Sequence, residues 1–137
     1  MSPIYLFTLV VFALVGLAAL WRGGRWERAS VVVLAVAWIG SALTPFNRVD
    51  PPWIAIAIDT AVFLFFLYAA LYARRSWTAG AAGFQFLILC THFVFARDRS
   101  LEQWAYVSAY YVWNLGVIAA LACGVVWRER KASGATA

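Results

Sequence analysis

The segment DPPWIAIAIDTAVFLFFLYAALYARRSW, residues 50–77, decides the fold class of this chain. From Trp53 to Ala73 it contains one charged residue, Asp59. An apolar run of this length is long enough for a helix to cross the hydrocarbon core of a bilayer. Prolines and a tryptophan precede the run, and two arginines follow it. The segment is therefore predicted to be a transmembrane helix.

The whole chain has the composition of an integral membrane protein. Of its 137 residues, 65% are hydrophobic and 12% are charged, and its mean hydropathy is +0.80. Soluble domains average roughly 45–50% apolar and about 25% charged residues. A chain of this size cannot enclose so much apolar surface in its own core. The net charge of +5 falls in short segments, so it predicts contact with lipid head groups and not with nucleic acid.

Four more apolar runs flank the central segment, and together they predict one five-helix transmembrane bundle. Asp50 before Pro51 is a typical start for the third helix, and Ser76 is placed to cap the fourth. Ser100 and Gln103 match a capping box for the fifth. A basic tail at 128–137 is expected to be disordered. The predicted helices lie at about 4–21, 29–46, 53–73, 77–96 and 101–127.

Basic residues are distributed unevenly between the two sides of the predicted bundle. By the positive-inside rule, the richer side is cytoplasmic, so the N-terminus is predicted outside and the C-terminus inside the cytoplasmic (inner) membrane of a bacterial-type cell. Tryptophans at the helix ends predict an aromatic belt. They are Trp21, Trp26, Trp53, Trp77, Trp104 and Trp127. The arginines expected to contact lipid head groups are Arg22, Arg25, Arg28, Arg74, Arg75 and Arg128.

Two of the predicted hairpins resemble each other. Thr44-x-Phe46 leads to a tryptophan at the next helix start, and Thr91-x-Phe93 does the same. Each connecting loop also contains an arginine and an aspartate. This pattern suggests a 2+2 hairpin repeat that follows the first helix.

Polar residues within the predicted spans are the candidate site. With a rise of 1.5 Å per residue, Asp59 lies ~9 Å and His92 ~6 Å below the outer interface. Two tyrosines fall in the same layer, while an amide from each of the last two helices lies nearer the midplane. An acid and an imidazole can bind a proton, a cation or a cationic substrate, or they can form a structural bond that fixes helix register. The remaining members of the predicted cluster are Gln85, Tyr110, Tyr111 and Asn114.

Small residues predict where helices approach closely. Gly116, Ala120 and Gly124 recur at every fourth position of the fifth helix, a spacing that lets two helix backbones come together. Ala79 and Gly83 are expected to play the same part on the fourth helix.

Three functions are compatible with these features. The first is a non-catalytic subunit, or an assembly or stabilising factor, of a larger membrane complex. The second is a small oligomeric transporter or channel that is proton-linked through Asp59 and His92. The third is a holin-like permeabilising protein of phage origin.

Enzymatic activity is not expected, because HExxH, GxSxG and phosphate-binding glycine loops are missing from the sequence. No cofactor is expected either, although His92, the one histidine of the chain, could ligate a haem or a chlorophyll-type pigment. The expected partners are the lipid bilayer and either other membrane proteins or further copies of this chain.

Overall fold

The computed structural model of this chain describes residues 3–43, 53–98 and 103–134, which form five α-helices. All five are long and apolar enough to cross a membrane, as judged by length and composition. The prediction of an all-helical protein with five candidate membrane spans is confirmed. The helices are α1 (Pro3–Arg22), α2 (Arg25–Leu43), α3 (Trp53–Ala73), α4 (Ser76–Arg97) and α5 (Gln103–Gly134).

The helices form a closed ring in which each packs against the next, and α1 returns to pack against α5. Aromatic contacts show the helix directions. Tyr5 near the start of α1 stacks on Trp38 near the end of α2, and Trp26 near the start of α2 meets Tyr68 near the end of α3. These pairs are therefore antiparallel. The Tyr5 ring also meets Tyr111 in the first part of α5, so α1 and α5 run in the same direction.

The apolar side chains divide between a small core and a large outer surface. Phe66, Ile88 and Leu121 are fully buried where α3, α4 and α5 face the centre of the ring. Outward-facing residues such as Leu14 and Leu71 are about two-thirds exposed. So much exposed apolar surface is unfavourable in water and suits a helix bundle surrounded by lipid.

The most extensive helix contact, between α4 and α5, includes the predicted small-residue stripe of α5. A Cβ atom built on Gly116 or Gly124 would overlap an aromatic ring of α4. Glycine at these positions therefore lets a flat ring lie directly on the α5 backbone. The pairs that meet are Gly116 with Phe84, Ala120 with Gly80, and Gly124 with Trp77.

The structure corrects the predicted packing face of α4. Ala79 and Gly83 are both exposed, and a Cβ on Gly83 would have no neighbour within 4 Å. Each lies one position before a residue that does face α5, a shift of about 100° around the helix. Trp77 is also corrected, because it is 8% exposed and packs on α5 instead of standing in an aromatic belt.

Three predicted helix ends also differ. Helix α4 begins at Ser76 itself, and its N-cap is Arg75, which makes no side-chain cap hydrogen bond. Helix α2 begins at Arg25, four residues before the predicted start at 29. Helix α5 continues through Gly134, where a disordered tail was predicted from 128, because arginine, glutamate, lysine and alanine favour helix.

Several predictions fall outside the residues that the structure describes. They are the Asp50–Pro51 helix start, the Ser100 capping box and the Thr44 and Phe46 positions of the suggested repeat.

Candidate functional site

A chain of hydrogen bonds joins three helices through the predicted acid and imidazole. Asp59 Oδ2 of α3 lies 2.7 Å from His92 Nε2 of α4. The other imidazole nitrogen, Nδ1, lies 2.8 Å from the hydroxyl of Tyr106 on α5. Gln85 of α4 donates through Nε2 to Asp59 Oδ1 at 2.9 Å. We call these four residues the polar network.

Helix periodicity explains why these side chains meet. Gln85 and His92 are seven residues apart, so they lie two turns apart on one face of α4. Asp59 is positioned between them on the antiparallel neighbour α3, and each of its carboxylate oxygens faces one partner. The Gln85 Nε2 atom also lies 3.4 Å from the backbone oxygen of Asp59. The network therefore fixes the register of α3 against α4.

Three of the four residues of the polar network are almost completely buried. Asp59, Gln85 and His92 are 6%, 2% and 1% exposed. A charged or polar group buried in this way is costly unless its hydrogen-bonding atoms are satisfied. Both Asp59 oxygens and both His92 nitrogens have partners, so this requirement is met. Tyr106 is only partly buried and forms the most accessible end of the network.

The geometry allows two arrangements of protons that differ by one proton. In the first, Asp59 is ionised, His92 Nε2–H donates to it, and the Tyr106 hydroxyl donates to Nδ1. In the second, a protonated Asp59 donates to Nε2, and Nδ1–H donates to the Tyr106 oxygen. A proton that arrives at Tyr106 can thus displace one proton onto Nδ1 and another from Nε2 onto Asp59. The distances of the polar network are compatible with both arrangements.

Tyr106 is a member of the site that the sequence reasoning missed. The depth estimate selects Tyr110 and Tyr111, which lie at the depth of Asp59, whereas Tyr106 is one turn nearer the start of α5. Its position four residues before Tyr110 puts it on the same face of α5, which was the available signal. The Tyr110 ring also lies beside the network, with its centroid 5.7 Å from that of His92.

The other two predicted members make different contacts. The Tyr111 ring meets the Tyr5 ring of α1 in a T-shaped arrangement. Asn114 is buried, and its Nδ2 donates to the backbone oxygen of Tyr110, one turn earlier in α5, at 2.8 Å. The structure thus brings Asp59 into direct contact with both His92 and Gln85, and it places Asn114 in a bond within its own helix.

A second polar cluster, not predicted from the sequence, lies at the opposite end of the bundle. Glu27 is fully buried and accepts hydrogen bonds from the Gly24 backbone N–H at 2.9 Å and from Arg75 Nη1 at 3.0 Å. Gly24 and Glu27 are the N-cap and the third residue of α2, so the first bond is half of a capping box. In the sequence, a glutamate three residues after a glycine could have indicated this helix cap. The second bond ties the α1–α2 turn to the α3–α4 turn.

Four of the six arginines predicted to meet lipid head groups line one open cavity beside Glu27. Its volume is about 700 Å³. We call it the basic cavity, and we call this end of the bundle the basic end. Arg22 lies over the Trp21 ring, and Arg74 occupies the turn before α4. The cavity is lined by Gly23, Gly24, Arg25, Trp26, Arg28, Tyr72, Ala73, Arg75 and Arg128.

An apolar groove of about 290 Å³ lies between α4 and α5. Tyr106 contributes one wall, and Trp113 contributes another. The Trp113 indole N–H donates to the Thr91 hydroxyl at 3.2 Å, which holds the ring against α4. The groove therefore borders the accessible end of the polar network.

The surroundings of His92 and the grouping of potential metal ligands limit which cofactors the described part of the chain could hold. His92 already uses both ring nitrogens, so ligation of a haem or pigment would require one of these hydrogen bonds to break. Within the described residues, no three histidine, cysteine, aspartate or glutamate side chains are grouped to hold a metal ion.

Comparison with protein-family models, with curated proteins and with solved structures finds no match for this chain.

Proposed function

We propose that this protein is a small proton-linked membrane transporter or channel whose proton-binding site is the polar network. The observation that carries the proposal is the continuous Asp59–His92–Tyr106 chain, with contacts of 2.7 Å and 2.8 Å. Ionisable residues buried between transmembrane helices are expensive, and they commonly mark ion pathways and proton relays.

Proton uptake at Tyr106 starts the proposed cycle. The Tyr106 oxygen receives a proton while its own proton passes to His92 Nδ1, and the Nε2 proton passes to Asp59. Protonation of Asp59 removes the negative charge that links α3 to α4, which weakens the attraction between these helices. Proton binding is thereby coupled to the contact between α3 and α4, the kind of two-state contact that alternating access requires.

The experiment is a proton-flux measurement on the full chain in liposomes that contain a pH-sensitive dye. A potassium diffusion potential supplies the driving force. We expect flux above that of protein-free liposomes for the unaltered protein and for Thr60→Val. Thr60 neighbours Asp59, but its hydroxyl bonds to the backbone oxygen of Ile56 in its own helix.

Asp59→Asn is the decisive variant. Asparagine can accept from Gln85 and donate to His92 Nε2, so it reproduces the proton-loaded arrangement while it removes the titratable group. We expect the variant to assemble normally and to lose proton flux. Equal flux in Asp59→Asn and Thr60→Val would refute the proposal.

A second candidate is a non-catalytic subunit or stabilising factor of a larger membrane complex. Two observations favour this candidate. Both carboxylate oxygens of Asp59 are hydrogen-bonded between packed helices. In addition, neither of the two cavities described above is lined by Asp59 or His92. In this case the polar network would be a structural link that fixes helix register.

Purification in mild detergent from the native host distinguishes the two candidates. Mass spectrometry and an absorption spectrum on one sample would identify a stoichiometric membrane partner or a bound pigment. A partner would favour the subunit, whereas a colourless assembly of this chain alone would favour transport.

We also propose that the basic end lies in the cytoplasm of a bacterial-type cell, with the N-terminus outside. The grouping of Arg25, Arg28, Arg75 and Arg128 around one cavity supports this orientation by the positive-inside rule. Fluorescent-protein and alkaline-phosphatase fusions after residue 137 test it. We expect fluorescence and no phosphatase activity.

A further inference from the structure

We infer that the basic cavity is a binding site for a phosphate group, supplied by the head group of an anionic phospholipid or by a soluble phosphate compound. This inference does not depend on the proposed transport function. It concerns the opposite end of the bundle and involves no residue of the polar network.

The lining of the basic cavity is strongly positive. Four arginines line the cavity, while among the described side chains one carboxylate, that of Glu27, lies next to it. Within the described part of the chain, Arg75 is the one lining arginine with a carboxylate partner. Guanidinium groups form planar, bidentate hydrogen bonds with phosphate oxygens, and several around one space select an anion over a neutral group.

Defined contacts hold the walls of the cavity in place. Buried Glu27 binds Gly24 and Arg75 and so fixes two of the walls. A Cβ on Gly24 would overlap the Arg128 guanidinium, so the glycine permits α5 to bring this arginine against the α1–α2 turn. The start of α2, the α3–α4 turn and α5 thus each contribute at least one arginine to the cavity.

The location and size of the cavity also suit a phosphate-bearing ligand. The cavity opens where α1 and α3 end and where α2 and α4 begin, which is the level of the head groups if these helices span a bilayer. Trp26 and Tyr72 are part of its wall, and such aromatic side chains favour the membrane–water interface. A volume of about 700 Å³ lies within the usual range of small-molecule sites.

The test uses the full chain in zwitterionic detergent and two probes. Native mass spectrometry measures retention of added phosphatidylglycerol against phosphatidylcholine. Phosphorus NMR line broadening measures binding of inorganic phosphate. The variants are Arg128→Gln and Arg28→Gln, both at exposed positions, and neither arginine holds the Glu27 carboxylate. The matched control is Arg22→Gln, which removes the same charge at the same end but outside the cavity lining.

We expect each cavity variant to weaken binding about tenfold, which corresponds to about 1.4 kcal/mol, because a hydrogen bond between charged groups is lost. The control should change it less than twofold. If the cavity variants weaken binding of phosphatidylglycerol alone, the cavity is a lipid head-group site. If they weaken binding of inorganic phosphate to the same extent, the cavity binds a soluble ligand. If neither probe is weakened more by the cavity variants than by Arg22→Gln, the inference is overturned.

Discussion

Arg75 and Glu27, 48 residues apart in sequence, form an ion pair of 3.0 Å that links the two short turns at the basic end of the bundle. The Glu27 side chain is fully buried, while that of Arg75 is 41% exposed. Because Glu27 also accepts from the Gly24 N–H, one carboxylate caps α2 and holds the α3–α4 turn. The pair therefore joins the α1–α2 hairpin to the α3–α4 hairpin.

Glu27→Gln should lower the free energy of unfolding by about 1–2 kcal/mol, because a charged hydrogen bond becomes a neutral one while the shape is kept. Unfolding in mixed SDS and detergent micelles measures the loss. A double-mutant cycle with Arg75→Gln isolates the pair and should give a coupling energy of about 1 kcal/mol. Additive effects of the two substitutions would show that the pair contributes nothing.

The five helices could be predicted because each one is a local property of the sequence. Length and hydropathy are sufficient to identify an apolar run that can span a bilayer. The predicted start of α2 is four residues too late because the charges of residues 22–28 are typical of a loop. Residues 25–28 can nevertheless be helical, because the Glu27 carboxylate accepts a hydrogen bond from the N-cap residue Gly24. The negative charge of Glu27 is also paired with Arg75.

The lateral contacts could be predicted only in part. Helical rise gives the depth of a side chain, but it does not say which helices are neighbours or which way a residue faces. Depth therefore placed Asp59 and His92 in one layer correctly, with Gln85 as a deeper member of the same predicted cluster. It also favoured Tyr111, which faces α1, over Tyr106, which bonds to His92.

Tyr106→Phe removes the hydroxyl that faces His92 Nδ1 and should change the hydrogen bonding of that nitrogen. The chain has one histidine, so labelling with ¹⁵N-histidine gives one pair of imidazole signals. We expect the Nδ1 signal to shift and stability to fall by about 0.5–1 kcal/mol, the usual size of a hydrogen bond between membrane helices. Tyr72→Phe, at an exposed position, is the control. Unchanged imidazole signals in Tyr106→Phe would show that the hydroxyl does not bond to His92.

Gly124→Ala should destabilise the bundle by about 1–3 kcal/mol, because the added methyl group needs space that the Trp77 ring occupies. Trp77 is buried and has little room to move. Gly83→Ala is the matched control on α4, where a Cβ meets nothing within 4 Å. That variant should be neutral, or more stable by up to about 1 kcal/mol through helix propensity. Equal destabilisation of the two variants in SDS titrations would contradict the α4–α5 contact described above.

Arg74→Gly should raise stability, although it removes a charge. Arg74 follows the last residue of α3 and has a φ of 48°, the left-handed conformation in which a side chain costs roughly 1–2 kcal/mol. Glycine adopts this conformation without that cost, and it is the usual residue after a helix end. Arg74→Ala is the control, because it also removes the charge but keeps the Cβ atom. We expect the glycine variant to unfold at a higher SDS fraction than the alanine variant by about 1 kcal/mol, and the reverse order would show that the turn is not left-handed at this residue.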